Sequence, residues 1–464
     1  MLTRQASRRR SAVHGPAHSR PTTESLPDEL LAMILDQLGL KGSCRAALVS
    51  RRWARLAASR QLGEKLRVAI KPPYLPHMHH LARWLNARAA PQLRCLHLEL
   101  WPYAHAGSIA ADPGPLVQRE LGSLATGMLA ACAMHGRIRE VFISLLDGTP
   151  FELTGSLAAG LTSLHSLEVS AESAVWTADL SMLSSLHTLR CGADTANMAA
   201  SARLPPNLTQ LLLEGRVHTA YGETAMPPQV SSLSRLEHCV LIMPAIQPSG
   251  FEPLAQLPSL HTLEITGCME LPSCISRLTR LASLHMEGYC DAVADGPVFV
   301  DALCHLTKLT HLSVAAFDAD EAATVPFGLP GPPPTLTALA QLRSFSWLGV
   351  VSVSAMLPAG TWLAQVEQLS APCTVLAKSL PAMQGMLQLR TLAPTYVGAS
   401  PLAAAAVLIW ADRCPTLRCL RLGVETDDDE EGIMPLVQEL QRRRPDIELE
   451  MRRGVLASEF RLPV

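Results

Sequence analysis

The chain has 464 residues, of which 48% are hydrophobic and 17% charged, and this composition argues against wholesale disorder. Its length is about three times the ~150 residues of an average domain, which excludes one small domain and predicts several domains or an elongated repeat array. Lys plus Arg number 39 against 41 Asp plus Glu. The net charge of −2 gives no global attraction to nucleic acid or to an anionic membrane.

Cysteine usage and hydropathy indicate an intracellular protein. The 12 cysteines are scattered without a C-x-x-C pair, which argues against a zinc framework and a small disulfide scaffold. The longest apolar stretch, residues 401–411, is shorter than the ~18 residues of a membrane span, and no apolar signal core follows the N-terminal charges. We therefore expect reduced thiols, no membrane partner, and a cytoplasmic or nuclear location, or both.

Residues 1–22 have the composition of a disordered basic tail. Five arginines precede the first acidic residue, Glu24, and several serines lie among them. Two alternatives remain open, namely a nuclear localisation patch at residues 8–10 and an organelle transit peptide.

The first folded module begins with a predicted helix. Pro27 lies near its first helical position, and Asp28 lies at the positive end of the helix dipole. Apolar side chains follow at helical spacing, and these are Leu30, Leu31, Ile34, Leu35 and Leu38. A second apolar helical face, within residues 43–58, includes Trp53. One helix cannot bury the first stripe alone, so we expect the two segments to pack together.

These two segments resemble the F-box. The matching positions are Leu26, Pro27, Glu29, Leu30, Leu31, Ile34, Leu35, Leu38, Val49, Ser50, Arg51, Arg52, Trp53 and Leu56. The resemblance implies an apolar surface that docks on a Skp-type adaptor of a cullin-RING ubiquitin ligase. The residues implied in that contact are Leu26, Pro27, Leu30, Ile34, Leu35, Val49 and Trp53. We place this module at residues 23–62, followed by a linker or helical cap at residues 63–90.

One segment departs from the F-box pattern. Gly42, Ser43 and Cys44 stand where the family usually has an acidic residue followed by leucines. Ser43 has a side chain that can cap the second helix. An ordinary helical hairpin, with Pro27 and Trp53 serving only a local core, is the alternative interpretation.

From Leu93 onward the pattern Leu-x-x-Leu-x-x-Leu-x-apolar recurs, for example at residues 161–169 and 257–265. We mark each copy by its third apolar residue. The marker residues are Leu96, Val141, Leu167, Leu189, Leu211, Cys239, Leu263, Leu284, Leu312, Phe345, Leu369, Leu392 and Leu420. Internal similarity at this spacing predicts a solenoid, in which each unit adds one strand to a parallel sheet.

The repeated pattern resembles leucine-rich repeats over residues 93–451. The predicted fold class is therefore α/β, with an N-terminal helical F-box followed by a curved solenoid whose parallel sheet forms the concave face. We expect about 13 units over residues 91–452 and a short tail at residues 453–464.

Three parts of the repeat region differ from the regular units. The 45 residues from Leu96 to Val141 contain a predicted helix at residues 116–134, so they form one enlarged repeat or two with a degenerate middle strand. Residues 325–335 are rich in proline and predict a stiff surface loop. Residues 436–451 predict a final helix and strand that close the C-terminal edge.

Side chains alternate along a strand, so the residues beside the two core positions point away from the core. The acidic members of this outward set are Glu99, Glu140, Glu168, Glu214, Glu264 and Glu287. The basic members and histidines are Arg190, Arg421, His97, His238, His285 and His311. We predict a face that is mildly acidic through its first two thirds, which either keeps the sheet soluble or selects a basic segment of a target protein.

No motif of the sequence indicates catalysis, because phosphate loops, dinucleotide fingerprints, nucleophile elbows and metal-ligand spacings are all missing. We therefore expect a non-catalytic chain without metal or cofactor. The resemblances imply the substrate-recognition subunit of an SCF-type (Skp-cullin-F-box) ubiquitin ligase, which holds a target near the ubiquitin-charged enzyme. Alternatives are a non-degradative cytoskeletal or ciliary scaffold with a vestigial F-box, which the segment at residues 42–44 favours, and a repeat protein that senses a small molecule.

Overall fold

The computed structural model divides the chain into two compact units, Met1–Arg67 and Val68–Val464. The residues it describes are 26–37, 52–53, 56, 65–70, 74–86, 93–100, 114–146, 148–171, 173–176, 179–192, 203–215, 226–242, 248–267, 273–290, 300–318, 331–348, 355–396, 401–424 and 427–453. The predictions for the basic tail, residues 42–44 and Val49 lie outside these residues, as does most of the predicted C-terminal tail.

The strands of the chain are short, as expected for repeat units. Their bounds are β1 (Lys65–Ile70), β2 (Cys95–Leu100), β3 (Glu140–Ser144), β4 (Pro150–Leu153), β5 (Ser166–Ser170), β6 (Ser173–Trp176), β7 (Thr188–Gly192), β8 (Gln210–Glu214), β9 (His238–Ile242), β10 (Thr262–Thr266), β11 (Ser283–Cys290), β12 (His311–Asp318), β13 (Ser344–Leu348), β14 (Gln368–Pro372), β15 (Thr391–Tyr396), β16 (Cys419–Val424) and β17 (Glu448–Arg453). Strands β4 and β6 pair separately, and the other 15 form one sheet in chain order.

The main sheet is a curved, open sheet whose pairs are parallel from β2 to β17. Each marker residue pairs with the next one along the chain, from Leu96 opposite Val141 to Leu392 opposite Leu420. The predicted alignment of the marker residues and the predicted α/β solenoid fold are thus confirmed. The sheet begins at Lys65, ahead of the predicted solenoid boundary at residue 91.

The core of the repeat region is a stack of marker residues and the apolar residues two positions later. Leu263 and Ile265 are fully buried, and the corresponding residues of neighbouring units are buried beside them. Strand alternation explains this pairing, since every second side chain points to the same face. Cys239 occupies a marker position, and its burial raises the pKa of its thiol to about 12, so it behaves as an inert small hydrophobic residue.

Helices connect some of the strands. Their bounds are α1 (Asp28–Gln37), α2 (Tyr74–Trp84), α3 (Pro115–Ala133), α4 (Gly155–Gly160), α5 (Val300–Leu303), α6 (Cys373–Met383), α7 (Pro401–Arg413) and α8 (Asp427–Arg443). Several other connections are short 3-10 helices. Helix α3 confirms the predicted long helix, and because β2 pairs directly with β3, the long first interval is one enlarged repeat.

The proline-rich segment is described only from residue 331 onward. Pro332 and Pro333 are buried, in contrast to the surface position predicted for this segment. Pro334 begins a 3-10 helix, Pro334–Ala338. Proline has no backbone N–H, so these residues can be buried without leaving an unsatisfied donor.

The C-terminal edge of the sheet is closed by helix α8 and strand β17, as predicted. Strand β17 pairs with β16 in register, with Leu449 opposite Leu420. Arg444, which directly follows α8, donates from Nη1 to the carbonyl oxygens of Asp412 and Cys414, at 3.1 and 3.0 Å. This contact joins the end of α8 to the end of α7.

Arg444→Met is expected to lower the free energy of unfolding by about 2–3 kcal/mol, because it leaves carbonyl acceptors without a charged donor. The Arg444 side chain is 17% exposed, so water replaces these bonds poorly. Arg442→Met is the matched control, since the Arg442 side chain is 74% exposed and pairs with Glu439. We expect the control to shift the midpoint of urea denaturation far less than Arg444→Met, because water replaces the bonds of an exposed ion pair. Equal losses in the two variants would contradict the role given to Arg444.

Candidate functional site

Helix α1 carries an apolar stripe on its exposed side. Leu30, Met33 and Ile34 are 45%, 63% and 39% exposed, whereas Leu31 is fully buried. Pro27, one turn ahead of Leu30, is also exposed. We call Pro27, Leu30, Met33 and Ile34 the α1 stripe. Such a row of exposed apolar side chains at helical spacing is typical of a surface that binds another protein.

Arg52 fixes the start of α1. Its Nε donates to the Asp28 carboxylate at 2.7 Å, and its Nη2 donates to the carbonyl oxygen of Leu26 at 2.6 Å. Arg52 lies next to Trp53 in a helical segment of the same unit. Since the Arg52 and Asp28 side chains are 30% and 46% exposed, the pair contributes orientation more than stability.

Five of the seven predicted adaptor-binding residues have described side chains, and their role in adaptor binding stays a prediction. Pro27, Leu30 and Ile34 belong to the α1 stripe, and Leu26 lies half-buried at its start. Trp53 is half-buried. The side chain of Leu35 and all of Val49 lie outside the described residues. Sequence reasoning missed Met33, although its position three residues after Leu30 was a usable signal.

The outward face of the main sheet consists of three rows of side chains that cross the strands. The central row contains His97, Phe142, Glu168, Arg190, Leu212, Val240, Glu264, His285, Ser313, Ser346, Ser370 and Ala393. The row that lies two residues earlier on each strand includes Glu140 and His311. The row that lies two residues later on each strand includes Glu99, Glu214 and Glu287. The predicted target-binding residues therefore share one face but do not form a single cluster.

Neighbouring charges on this face partly neutralise one another. The Nη1 of Arg190 lies 3.6 Å from Oε2 of Glu168 on the adjacent strand. The Nε2 of His285 lies 3.5 Å from Oε2 of Glu287, two residues along the same strand. The acidic character predicted for the face is accordingly reduced where the Arg190 guanidinium lies beside Glu168.

The central part of the face is apolar, which the sequence analysis did not single out. Leu212 and Val240 are register partners on β8 and β9, and Ile242 follows on the same face. All three side chains are half-buried. Their signal in the sequence was an apolar residue between two core positions, as in Leu211, Leu212 and Leu213. This apolar patch offers contact area that charged rows alone lack.

Strands β13 and β14 carry small, buried side chains in the central row of this face. Ser346 and Ser370 are 3% and 0% exposed, and the Ser370 hydroxyl donates to the carbonyl oxygen of Ala393 at 2.9 Å. The part of the face that is open to a partner is therefore richest in large side chains on β2 to β11.

Within the described ranges, no group of three or more His, Cys, Asp or Glu side chains is arranged to hold a metal ion. No helix of the described part has the length and apolarity needed to cross a membrane.

The N-terminal module matches the family model described as F-box-like over residues 23–67. This match includes the α1 stripe and Arg52. No curated protein matches the chain. The family match, together with the repeat sheet, supports a protein-interaction adaptor.

Three solved structures are similar to parts of the chain. An internalin (InlF) from Listeria monocytogenes is 13% identical, with 69% of this chain and 82% of that chain covered, at a TM-score of 0.31. The TLR13–ssRNA13 complex is 15% identical, with 84% and 55% covered, at 0.37. A plant peptide hormone receptor, RGFR1 in complex with RGF2, is 12% identical, with 70% and 68% covered, at 0.25.

Proposed function

We propose that this chain is the substrate-recognition subunit of an SCF-type ubiquitin ligase and has no catalytic activity of its own. The observation that supports this proposal most directly is the α1 stripe, which lies within the F-box-like match. In this proposal the stripe binds a Skp-type adaptor, and the outward face of the main sheet binds the target.

The α1 stripe has the energetics of a docking surface. Leu30, Met33 and Ile34 are each exposed by more than a third. Burying the exposed parts of three such side chains contributes roughly 3–5 kcal/mol before the costs of association. Leu31, which flanks the stripe on the same helix, is fully buried, so one side of α1 is packed while the stripe stays accessible. A preformed apolar surface of this kind loses little entropy when a partner binds.

The repeat sheet supplies a rigid face for the target. Its central row combines the apolar pair Leu212 and Val240 with charged residues on both sides, for example Arg190 and Glu264. Apolar side chains give contact area, while the surrounding charges select partners of complementary charge. Holding a target in one orientation raises its effective concentration near the ubiquitin-charged enzyme, so the chain can act without any catalytic group.

The test measures binding of a purified Skp-type adaptor to the full chain by biolayer interferometry. Leu30→Asp combined with Ile34→Asp is expected to weaken binding at least 100-fold, because two charges would be buried without partners. Leu402→Asp combined with Ile409→Asp is the matched control, since these residues are 82% and 54% exposed on α7. We expect wild-type affinity in the control and unchanged circular dichroism in both.

Two results would contradict the proposal. If wild-type chain does not bind the adaptor, the ligase assignment fails and the non-degradative scaffold is the better interpretation. If the Leu30 and Ile34 variant binds as tightly as wild type, the α1 stripe is not the adaptor contact.

A further inference from the structure

One row of the outward face contains a notch where a side chain is missing. It is the row that lies two residues after the central row on each strand. Its register partners on β5, β7, β8 and β9 are Ser170, Gly192, Glu214 and Ile242. Gly192 has no side chain, so the backbone of β7 forms a floor between Ser170 and Glu214. We call this space the Gly192 notch.

Two side-chain oxygens lean over the floor of the Gly192 notch. A Cβ added at Gly192 would lie 3.2 Å from the Oγ of Ser170 and 3.4 Å from the Oε2 of Glu214. A single atom just above that point is therefore within reach of hydrogen bonds to both oxygens, although their strands are separated by β7. The notch thus offers two acceptors that converge above bare backbone.

The backbone conformation does not require a glycine at this place. Among the described residues, the glycines with positive φ are Gly136, Gly148 and Gly267, and Gly192 does not belong to this set. A glycine inside a strand weakens the strand, and it often marks a place where a ligand or another backbone approaches closely. The missing side chain of Gly192 therefore opens space without serving a turn.

The Glu214 carboxylate supplies the charge of the notch. It is half-buried, and it forms no ion pair with a residue of the described part of the chain. Arg190 lies two residues before Gly192 on the same strand, but its Nη1 lies 3.6 Å from Oε2 of Glu168 on β5, away from Glu214. This part of the sheet therefore neutralises Glu168 and leaves the charge of Glu214 open to an external cation.

The two acceptors suit a primary ammonium group. An ammonium is a compact charge with three N–H donors and no acceptor. Two of its donors match the Ser170 hydroxyl oxygen and the Glu214 carboxylate, and the third remains open to water. A guanidinium fits this arrangement less well, because its donors are fixed in one plane. A neutral group leaves the half-buried carboxylate without a counter-charge.

The apolar patch adjoins the notch on the other side of Glu214. Ile242 is the register partner of Glu214, and it lies on the same face as Leu212 and Val240. Gly192 and Ile242 are two strands apart, which corresponds to about 10 Å. In an extended segment, alternate side chains on one side lie about 7 Å apart, and the flexible stem of a lysine spans the difference. A lysine and an aliphatic residue two positions away can therefore occupy both places.

The surroundings of the notch favour a lysine side chain over the amino group at the start of a chain. The row continues beyond the notch on both sides, through Ser144 and Ile242, and both residues are half-buried rather than covered. No wall of this row requires the bound segment to begin at the notch. The stem of a lysine also gains apolar contact with Leu212, which a terminal amino group does not.

We propose that the Gly192 notch binds the ammonium group of a lysine in a segment of the target protein, while the apolar patch binds an aliphatic side chain two positions away. The proposal rests on the target-binding role proposed above for the main sheet. It narrows the targets to segments that carry this pair of residues. Acetylation of the lysine removes its charge and therefore releases such a segment.

The test uses the purified full chain and fluorescein-labelled degenerate peptides with blocked amino ends. Each peptide has a central lysine and a leucine two positions away on either side, and the degenerate positions contain no lysine or arginine. Fluorescence anisotropy is expected to show at least tenfold tighter binding of this pool than of the same pool with acetyl-lysine. A pool with arginine at the centre is expected to bind at least fivefold more weakly, and a pool with alanine for both leucines at least tenfold more weakly.

Two variants test the notch itself. Glu214→Gln keeps the size of the side chain and is expected to remove the preference for lysine over acetyl-lysine. Gly192→Ala places a methyl group beneath the two oxygens and is expected to weaken binding of the lysine pool at least fivefold. Glu237→Gln is the matched control, because Glu237 is an exposed carboxylate just before β9 and lies outside the notch. We expect the control to change affinity less than twofold, with unchanged circular dichroism in all three variants.

The proposal is overturned if the wild-type chain binds the lysine and acetyl-lysine pools equally, or if the arginine pool binds as tightly as the lysine pool. It is also overturned if Glu214→Gln keeps the preference, or if Glu237→Gln loses as much affinity as Glu214→Gln. The assay contains no adaptor, so a failed ligase assignment does not affect its result. Normal adaptor binding by Glu214→Gln would show that the loss of peptide binding concerns the notch alone.

Discussion

Gly122→Ala is expected to destabilise the chain by about 3 kcal/mol or more, although alanine normally favours a helix. Gly122 lies on α3, and a Cβ added there would lie 2.9 Å from the carbonyl carbon of Pro150 and still closer to its oxygen. Pro150 is the first residue of β4, so its backbone belongs to the small β4–β6 sheet. The helix would have to move away from this strand, which opens the core of the enlarged repeat.

Gly127→Ala on the same helix is the matched control for Gly122. A Cβ at Gly127 meets nothing within 4 Å, so the substitution is expected to stabilise the chain by about 0.5–1 kcal/mol. Urea denaturation followed by circular dichroism gives both values. Hydrogen exchange should rise in α3 and β4 for Gly122→Ala only. Two variants that shift stability in the same direction would refute the close helix–strand contact.

Trp347→Ala is expected to lower the free energy of unfolding by about 3–5 kcal/mol, as for other fully buried aromatic residues whose removal leaves a cavity. Trp347 is 0% exposed on β13. Its ring centroid lies 6.1 Å from that of Phe345, which in turn lies 5.4 Å from Trp362 in an edge-to-face arrangement. Removing this ring deprives its neighbours of contacts that an alanine side chain does not replace.

Trp347→Phe keeps an aromatic side chain but makes it smaller. It therefore separates the effect of lost side-chain volume from the effect of losing the aromatic ring altogether. We expect this variant to cost less than half as much as Trp347→Ala, because most of the ring contacts remain. The measurement is the midpoint of urea denaturation for both variants. The midpoints are compared when the free energy of unfolding has the same dependence on urea concentration in both. A near-neutral Trp347→Ala would mean that the cluster repacks, contrary to the dense core seen around β13.

The repeat register was predictable because one short pattern carries both the core positions and their spacing. Apolar residues such as Leu167 and Leu189 must share one face if each strand alternates, and parallel pairing then places them side by side. The α1 helix was predictable for a similar reason, since Pro27, Asp28 and the following apolar residues each favour a helix start.

Contacts between side chains were much less predictable. The Arg52–Asp28 pair and the Arg190–Glu168 pair each join residues more than 20 positions apart, so they depend on how two elements pack. Local sequence patterns determine the helices, the strands and the alignment of the repeats. The ion pairs depend on which side chains become neighbours in the folded chain, and local patterns do not show this.

The spacing of the repeats has a consequence for how this sequence can change over time. The paired residues Leu263 and Leu284 are 21 positions apart, and the paired residues Leu96 and Val141 are 45 apart, yet both pairs align in the same register. Insertions between strands therefore leave the order of side chains across the sheet intact. The binding face and the connecting segments can accumulate substitutions and length changes independently, so new specificity need not disturb the frame that presents it.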